Sequence, residues 1–475
     1  MEQKKVDVAI IGSGTAGLNA MGRVKRAGKD LVLINGGEPG TTCARVGCMP
    51  SKVLIQIAED FHRRGVFDRM GIEKHEAMHL NAQDSMEHVR DMRDTFVDRV
   101  LSNSTDHLGP DVFIEQYARF IEPDLLLLDN GDQIQADSIV IATGSSPVVP
   151  EAWKALGDRI VTTDEFFELE DLPDSMAIVG LGVIGLEIGQ SLCRMGVDVI
   201  GIDMANTIGG ITDPEVNKEA VTLIGKEFPL WLGHAVDISE EPDGRLRVSA
   251  GDNSMVVDKV LASLGRRPNI ENVGLGKRGG QIDDRGIPAY NPNTMQVGDL
   301  PIFLAGDING DRPILHEAGD EGKIAGYNAA HSGITAFKRK TPLAIVFCDP
   351  NIVSVGQRFV DLDPDTSVVG EMKIAPVGRA LIMAKNRGVI RVYADKISGK
   401  LLGAEMISPK GENLGHLLAW SIQMGLTVGQ MLQMPFYHPV IEEALQAALN
   451  NVYHKVENKN PTPVTELELL NPQRS

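Results

Sequence analysis

Val6-Asp7-Val8-Ala9-Ile10-Ile11-Gly12-Ser13-Gly14-Thr15-Ala16-Gly17 is the stretch on which the fold turns. Its first half is apolar and β-branched, its second half is rich in glycine, and the residues toward Arg26 suit a helix. A second apolar run, Leu31-Val32-Leu33-Ile34, closes at Asn35, so residues 6 to 35 have the dimensions of one βαβ unit. The pattern recurs. Met176-Ala177-Ile178-Val179 leads into Gly180-Leu181-Gly182-Val183-Ile184-Gly185-Leu186-Glu187, and the strand-like run Val197 to Ile202 stops at Asp203. From first glycine to strand-end polar residue both copies span 23 positions, 12 to 35 and 180 to 203.

One glycine fingerprint is weak evidence, because such turns also serve purely structural ends. Two in register are much stronger and imply two dinucleotides, each with its pyrophosphate at the positive end of a helix. Gly12, Gly14 and Gly17 would cradle the first. Gly180, Gly182, Val183, Ile184 and Gly185 would cradle the second.

Working outward, Ile139-Val140-Ile141-Ala142-Thr143-Gly144 is a buried strand ending in a turn, and Pro147 and Pro150 mark a linker. Lys259 to Leu264 followed by Gly265 repeats the strand-then-glycine design, and Ile302-Phe303-Leu304-Ala305 ends in Gly306-Asp307. An acid at a strand's carboxyl end stands where ligands gather in α/β sheets, although a solvated Asp would look the same. Residues from about Asn81 to Leu108 are highly charged and predict a solvated amphipathic helix. From Thr341 shorter strands alternate with Pro and Gly before further helices, the texture of a separate α+β domain. The final helix carries Ile441, Leu445, Ala448, Leu449 and Val452 on one face, and a polar tail follows Asn458. The expected organisation is α/β. Two Rossmann-like dinucleotide-binding domains occupy 1–150 and 151–270, a central segment over 271–340 completes the first, and a C-terminal domain occupies 341–475.

Length and charge set bounds on function. A chain of 475 residues predicts roughly three domains. A net charge of −19 argues against nucleic acid, whose affinity comes from Lys and Arg neutralising phosphates. Neither a signal peptide nor an apolar run long enough to span a bilayer is apparent, so a cytoplasmic protein with no membrane partner is expected. Four cysteines are too few for a secreted disulfide framework, and a close pair in a reducing compartment points to catalysis or metal binding. Cys193 and Cys348 stand alone and read as packing residues.

Cys43 and Cys48 lie in Gly40-Thr41-Thr42-Cys43-Ala44-Arg45-Val46-Gly47-Cys48-Met49-Pro50-Ser51-Lys52. Five residues of regular helix would separate their Cα atoms by about 7.5 Å and about 140° of rotation, beyond disulfide reach of roughly 7 Å. A bridge therefore needs a distorted turn, and Gly47 supplies the freedom. Two buried thiols would be the bland reading, and a metal site would need further Cys or His nearby. The pair begins eight residues after Asn35, so the first dinucleotide and the thiols share a site. Hydride chemistry and thiolate chemistry need a relay, which makes the first dinucleotide FAD and the second a nicotinamide. A dithiol also needs a base. His438 stands out, with Pro439 behind it and Glu442 and Glu443 following, although a helix-capping histidine would look alike.

These pieces, taken in order along nearly the whole chain, resemble the class I pyridine-nucleotide disulfide oxidoreductases, and within them the dihydrolipoamide dehydrogenase branch. The motifs are Gly12 to Gly17, the Gly-Thr-x-Cys-x-x-x-x-Gly-Cys-x-Pro-Ser-Lys element, Ala142-Thr143-Gly144, Gly180 to Glu187, Gly265-Arg266-Arg267-Pro268-Asn269, Ala305-Gly306-Asp307 and His438-Pro439 with Glu443. The resemblance implies that Cys43 is the thiol exchanging with substrate and Cys48 the one against the flavin, with Lys52 paired to Glu187 beside it. It further implies that Asp307 binds the ribityl chain, that Ala118 approaches the adenine half of FAD, and that Thr42, Thr143, Gly144 and Leu315 complete the FAD site. Glu187, Gly265 and Asp203 would complete the NAD site. His438 and Glu443 would reach across a homodimer to the partner's disulfide, giving a shared active site and a reversible cycle from dihydrolipoamide to disulfide to FAD to NAD. A lipoyl-bearing acyltransferase is the partner this implies.

Departures from the pattern bear on substrate and cofactor. Asn35 stands where the family usually has Glu on the FAD ribose, and a neutral amide bonds a hydroxyl more weakly than a carboxylate does. Phe436-Tyr437 and Val440 replace the usual neighbours of the histidine. Asp203 favours NAD over NADP, since an acid bonds the ribose hydroxyls and repels a 2′-phosphate, and residues 204–207 offer no Arg. The alternatives are a reductase of another small disulfide on the same scaffold, or a non-catalytic flavoprotein subunit.

Overall fold

Four apolar residues in a row, as at 8–11 and 31–34, can be buried only if both faces of their strand are covered, and the first sheet is built that way. In this computed structural model, which describes residues 3–276, 281–459, 464 and 466–468, strand β1 spans Gln3–Ile11, helix α1 Thr15–Arg26 and strand β2 Leu31–Ile34. The short helix α2 spans Thr42–Arg45, α3 spans Cys48–His62 and α4 spans Ala82–Ser102. Strands β3 (Phe113–Ile114), β4 (Ala118–Glu122), β5 (Leu125–Leu128) and β6 (Gln133–Ile141) complete the sequence-local part of the sheet, in the order β3-β2-β1-β6-β5-β4. Ile302–Leu304 returns to pair in parallel with β6. Val8 and Ile10 pack toward α1, whereas Val6, Ala9 and Ile11 pack toward the opposite core. On its covered face α1 meets the helix Leu315–Ala329 at backbone contact: a Cβ on Gly322 would lie 2.1 Å from the Ala16 carbonyl oxygen.

The second unit repeats the design. Its five strands, all parallel, run in the order 230–232, 198–203, 175–179, 259–262, 160–161, and the helix Val183–Met195 follows the glycine turn. A three-stranded antiparallel sheet, 236–240, 246–250 and 253–257, sits beside it. After residue 341 five antiparallel strands run in the order 343–346, 351–356, 401–408, 389–395, 367–373. The helix Glu442–Tyr453 covers this sheet, with Ala444, Leu445, Ala448, Leu449 and Val452 buried, the face its spacing predicts with Ala444 added.

The charged helix expected over 81–108 begins on its Asn81 cap but ends at Ser102. The reason is local: the Asn103 amide and the Ser104 hydroxyl bond back to the Arg99 and Val100 carbonyls, each at 2.6 Å, and draw the chain out of helix. The polar tail expected after Asn458 lies largely outside the described residues. No described helix is long and apolar enough to cross a membrane.

The second unit is bolted to the C-terminal sheet by two fully buried carboxylates. Glu405 accepts from the backbone N–H groups of Thr212 (2.7 Å), Asp213 (2.8 Å) and Phe359 (3.1 Å). Asp213 caps the helix Pro214–Ile224 and accepts from Arg391 at 2.8 Å and Tyr393 at 2.9 Å. Truncating Glu405 would orphan buried donors, each costing about 1–3 kcal/mol. Glu405→Ala is therefore expected to destabilise the chain by about 3 kcal/mol in denaturant unfolding; a midpoint equal to the parent's would show that these bonds contribute nothing net.

Candidate functional site

The two glycine turns are copies down to their close contacts. Gly12 (φ +105°) and Gly180 (φ +98°) adopt a backbone that L side chains avoid. A Cβ on Gly12 would stand 2.3 Å from the Ala142 carbonyl oxygen, and one on Gly180 would stand 2.3 Å from that of Ser263. The third glycines, Gly17 and Gly185, each press to 1.9 Å by the same measure against the carbonyl of the first. The middle glycines, Gly14 and Gly182, would point a Cβ into open space. Neither following helix has a side-chain cap, so its first N–H groups face that space with Val183 and Ile184 in the second helix's first turn. Uncapped N–H donors at a positive helix end, over a surface no side chain fills, are the donor set a pyrophosphate requires.

The strand-end polar residues occupy matching places. Asp203 accepts from the Leu181 N–H at 2.7 Å and the Ala205 N–H at 2.8 Å. Asn35 accepts from the Ser13 N–H at 3.4 Å and donates to the Gly37 carbonyl at 2.7 Å. Asn35 is thus partly spent on its own loop, beside Gly36, which the Tyr117 ring covers. Half-buried Ala118 follows Tyr117 on β4.

The predicted break between the cysteines is present. Cys43 lies in α2 and Cys48 opens α3, with Gly47 between them at φ −132°, ψ −119°. Gly47 sits tight against Cys43: a Cβ there would come within 3.3 Å of the Cys43 Cα and 3.0 Å of the Thr42 carbonyl oxygen. The two thiols are neighbours and divide their acidities. The Cys43 thiol, as donor, lowers Cys48 to about 7, with help from the Lys52 charge. Cys43 is raised by its neighbour Cys48 and by burial. Position adds to the asymmetry, because Cys48 stands at the positive end of α3.

One turn along α3, Lys52 Nζ reaches Glu187 at 2.7 and 2.9 Å. Glu187 is 4% exposed and also accepts from the Phe347 N–H at 3.0 Å, while Lys52 lies over the Phe347 ring at 4.6 Å. Three separated parts of the chain meet at this carboxylate.

Other expected residues fall into two groups. The Thr143 hydroxyl is engaged internally, donating to the Asn269 carbonyl at 2.9 Å, and the Gly144 carbonyl accepts from the Asn269 N–H. Gly265 (φ +92°) closes the ribbon in which Arg266–Pro268 pairs with Ser145–Pro147. Asp307 accepts from the Ser145 hydroxyl at 2.7 Å, Ser145 accepts from Arg266 at 2.8 Å, and buried Glu321 holds the Gly306 N–H at 2.8 Å. Sequence reasoning missed Ser145, whose partners Asp307 and Arg266 are distant in the chain, and Glu321, whose partners lie across the turn from strand to helix. Asp307 Oδ1 carries no hydrogen bond among the described residues, which leaves an acceptor for a ligand hydroxyl. Thr42 is exposed at the start of α2.

His438 stands apart in the C-terminal domain. Its Nδ1 lies 2.8 Å from Glu443 Oε1, and its side chain is 81% exposed. Glu443 is held below the usual carboxylate range by that bond and by the Val440 N–H at 3.0 Å. With Nδ1 committed to the carboxylate, Nε2 is the nitrogen that faces outward to take a proton.

A cavity of about 390 Å³ opens on Cys43 and not on Cys48. Leu18, Met49, Phe96, Val100 and Leu315 make its apolar walls, so Leu315, expected among the FAD contacts, lies on the Cys43 side. The signal for it was present in the charged helix: Phe96, Arg99 and Val100 follow helical spacing amid acids that drew the eye to solvent.

Comparison with known proteins agrees with this geometry. Residues 6–331 match the family Pyridine nucleotide-disulphide oxidoreductase, and residues 343–449 match its dimerisation domain. A dihydrolipoyl dehydrogenase of Haloferax volcanii is 30% identical, with 94% of this chain and 96% of the relative covered. The mitochondrial dihydrolipoyl dehydrogenase of Canis lupus familiaris is 28% identical over 93% of this chain and 89% of its own. A solved Cu(II) complex of the HOCl-induced flavoprotein disulfide reductase RclA from Escherichia coli shares the fold, with TM-score 0.81 at 21% identity, covering 94% of this chain and 99% of that one.

The divided acidity can be tested directly. In the reduced protein, thiolate ultraviolet absorbance is expected to rise with a midpoint near pH 7, from Cys48. Cys43→Ala should move that midpoint upward by removing the donor; an unmoved midpoint would show that another group sets it.

Proposed function

The chain belongs to the pyridine nucleotide-disulphide oxidoreductases, enzymes that work with FAD and NAD(H), and from that premise we propose that it oxidises dihydrolipoyl thiols with NAD through Cys43 and Cys48. The observation that carries the reading is the sidedness of the pair. The cavity reaches Cys43, whereas Cys48 is the more acidic thiol under the Lys52 charge. A substrate entering the cavity meets Cys43 first.

Gly12, Gly14, Gly17, Asn35 and Asp307 would hold FAD, with Thr42, Lys52, Ala118, Thr143, Gly144 and Leu315 around it. Gly180, Gly182, Val183, Ile184, Gly185, Glu187, Asp203 and Gly265 would hold NAD, Asp203 favouring it over NADP. FAD, when bound, supplies a two-electron acceptor between the cysteines and NAD. The remaining work belongs to the side chains. A substrate thiol gives its proton to His438 Nε2, and the thiolate attacks Cys43 Sγ in the oxidised pair. The Cys43–Cys48 bond breaks and Cys48 leaves as a thiolate, which its lowered pKa favours. The second substrate thiol attacks the mixed disulfide, releasing Cys43 and the closed substrate disulfide. Two electrons then reside on the cysteine pair. Glu443 holds the imidazole in orientation and stabilises its protonated form.

His438 reaches the thiols, in this reading, from the partner subunit of a homodimer. The match to a dimerisation domain supports this, as do the exposed side chains Trp420 (64%), Met424 (76%) and Tyr437 (80%) of the same domain, since apolar surface of that kind marks an interface. In the cytoplasm a lipoyl-bearing acyltransferase would be one source of dihydrolipoyl thiols, as an amide, and free dihydrolipoate another, as the acid.

Cys43→Ser is expected to abolish dihydrolipoamide oxidation in steady-state assay, while the oxidised protein shows the long-wavelength absorbance of a Cys48 thiolate against the flavin. Retained turnover would reverse the roles of the two thiols. His438→Gln should slow reduction by dithiol by about 10²-fold or more and leave reduction by NADH nearly intact, as separated by stopped-flow; equal slowing would remove it as the base.

A further inference from the structure

The cavity beside Cys43 is lined from two helices at matched spacing, Thr15, Leu18 and Asn19 on α1 and Phe96, Arg99 and Val100 on α4. Along this open, largely apolar cleft one lining side chain is ionised, Arg99. Its situation differs from that of the other arginines on α4. Arg90 donates to the Leu169 carbonyl, and Arg93 pairs with Asp94 and Glu168. The Arg99 guanidinium is exposed and makes no hydrogen bond or ion pair among the described residues.

We propose that Arg99 is a specificity-determining residue, and that the cavity takes a small disulfide with an apolar body and an anionic far end, the anion on Arg99 and the sulfurs at Cys43. This rests on the disulfide-oxidoreductase reading above and refines its substrate from the neutral amide toward the free acid. The walls exclude the alternatives by desolvation. A peptide-like disulfide with several carboxylates and ammonium groups would leave most of them unpaired against Leu18, Met49, Phe96 and Val100. A neutral amide would fit the walls but forgo the charge-assisted, two-point bond that a guanidinium makes to a carboxylate. The charge also acts at a distance: in a chain of net charge −19, a free guanidinium at the mouth marks where an anion can approach.

Lipoate and lipoamide differ only in that terminal group, which makes them the probes. With the FAD-loaded full chain and NADH, KM for lipoate is expected to lie roughly tenfold below that for lipoamide at similar kcat. Arg99→Gln should bring the ratio of the two KM values to about one by raising that of lipoate, and Arg99→Lys should restore part of the gap. Equilibrium binding of lipoate to the oxidised protein, measured by calorimetry, should weaken by the same factor in Arg99→Gln. A parent enzyme that does not prefer lipoate, or a preference that survives Arg99→Gln, overturns the proposal while leaving the disulfide-oxidoreductase reading intact. Turnover of oxidised glutathione with neither lipoyl compound used would overturn the proposal together with the dihydrolipoyl substrate on which it rests.

Discussion

Glu187 is a carboxylate taken almost wholly out of water, and the site holds together because its losses are made good from three directions. Lys52 comes from the helix that starts at Cys48, the Phe347 N–H comes from the C-terminal part, and Glu187 itself sits on the helix of the second glycine turn. A buried charge with one partner removed is strongly destabilising, whereas one fully bonded fixes the elements that bond it. Here those elements are the ones that must not drift: the thiol helix, the second nucleotide cradle and the domain that carries His438. Glu405 and Asp213 act in the same manner farther out, where the second unit meets the C-terminal sheet.

What the sequence made legible follows from how local each constraint is. The glycine turns were readable because every requirement is met within a few residues: positive φ at Gly12 and Gly180, contact of the third glycine with the first, and an uncapped helix end. The break at Gly47 was readable because helix geometry forbids the alternative. The Lys52–Glu187 pairing was reachable only by resemblance, since nothing in two residues 135 positions apart announces that they touch.

The cavity was not read from the sequence, although α4 carried part of its signal. Its walls come from α1, α2, α3, α4 and the helix Leu315–Ala329, and no one of them is unusual alone. α4 was misleading in a specific way. Its many acids describe the solvent face correctly, while Phe96, Arg99 and Val100 turn the other way, and an arginine in that set reads as one more surface charge. The end of the same helix was misplaced because Asn103 and Ser104 compete for its last carbonyls, a local bond that apolar spacing does not record. Asp307 was identified from its strand end, but Ser145 and Arg266, which orient it, lie on a ribbon that exists only once the two units are joined.

The near identity of the two glycine turns has a further consequence. As backbone they are interchangeable fittings, with the same tight contacts to within the last digit quoted, so neither turn carries the identity of its own nucleotide. In the proposed reading that identity would be written outside the fitting, in what the strand-end residue has left to offer. Asp203 has two anionic oxygens bonded only to neighbouring N–H groups, and Asn35 has one amide already shared between Ser13 and Gly37. The chain thus presents one standard socket twice, and the two copies differ only at the rim.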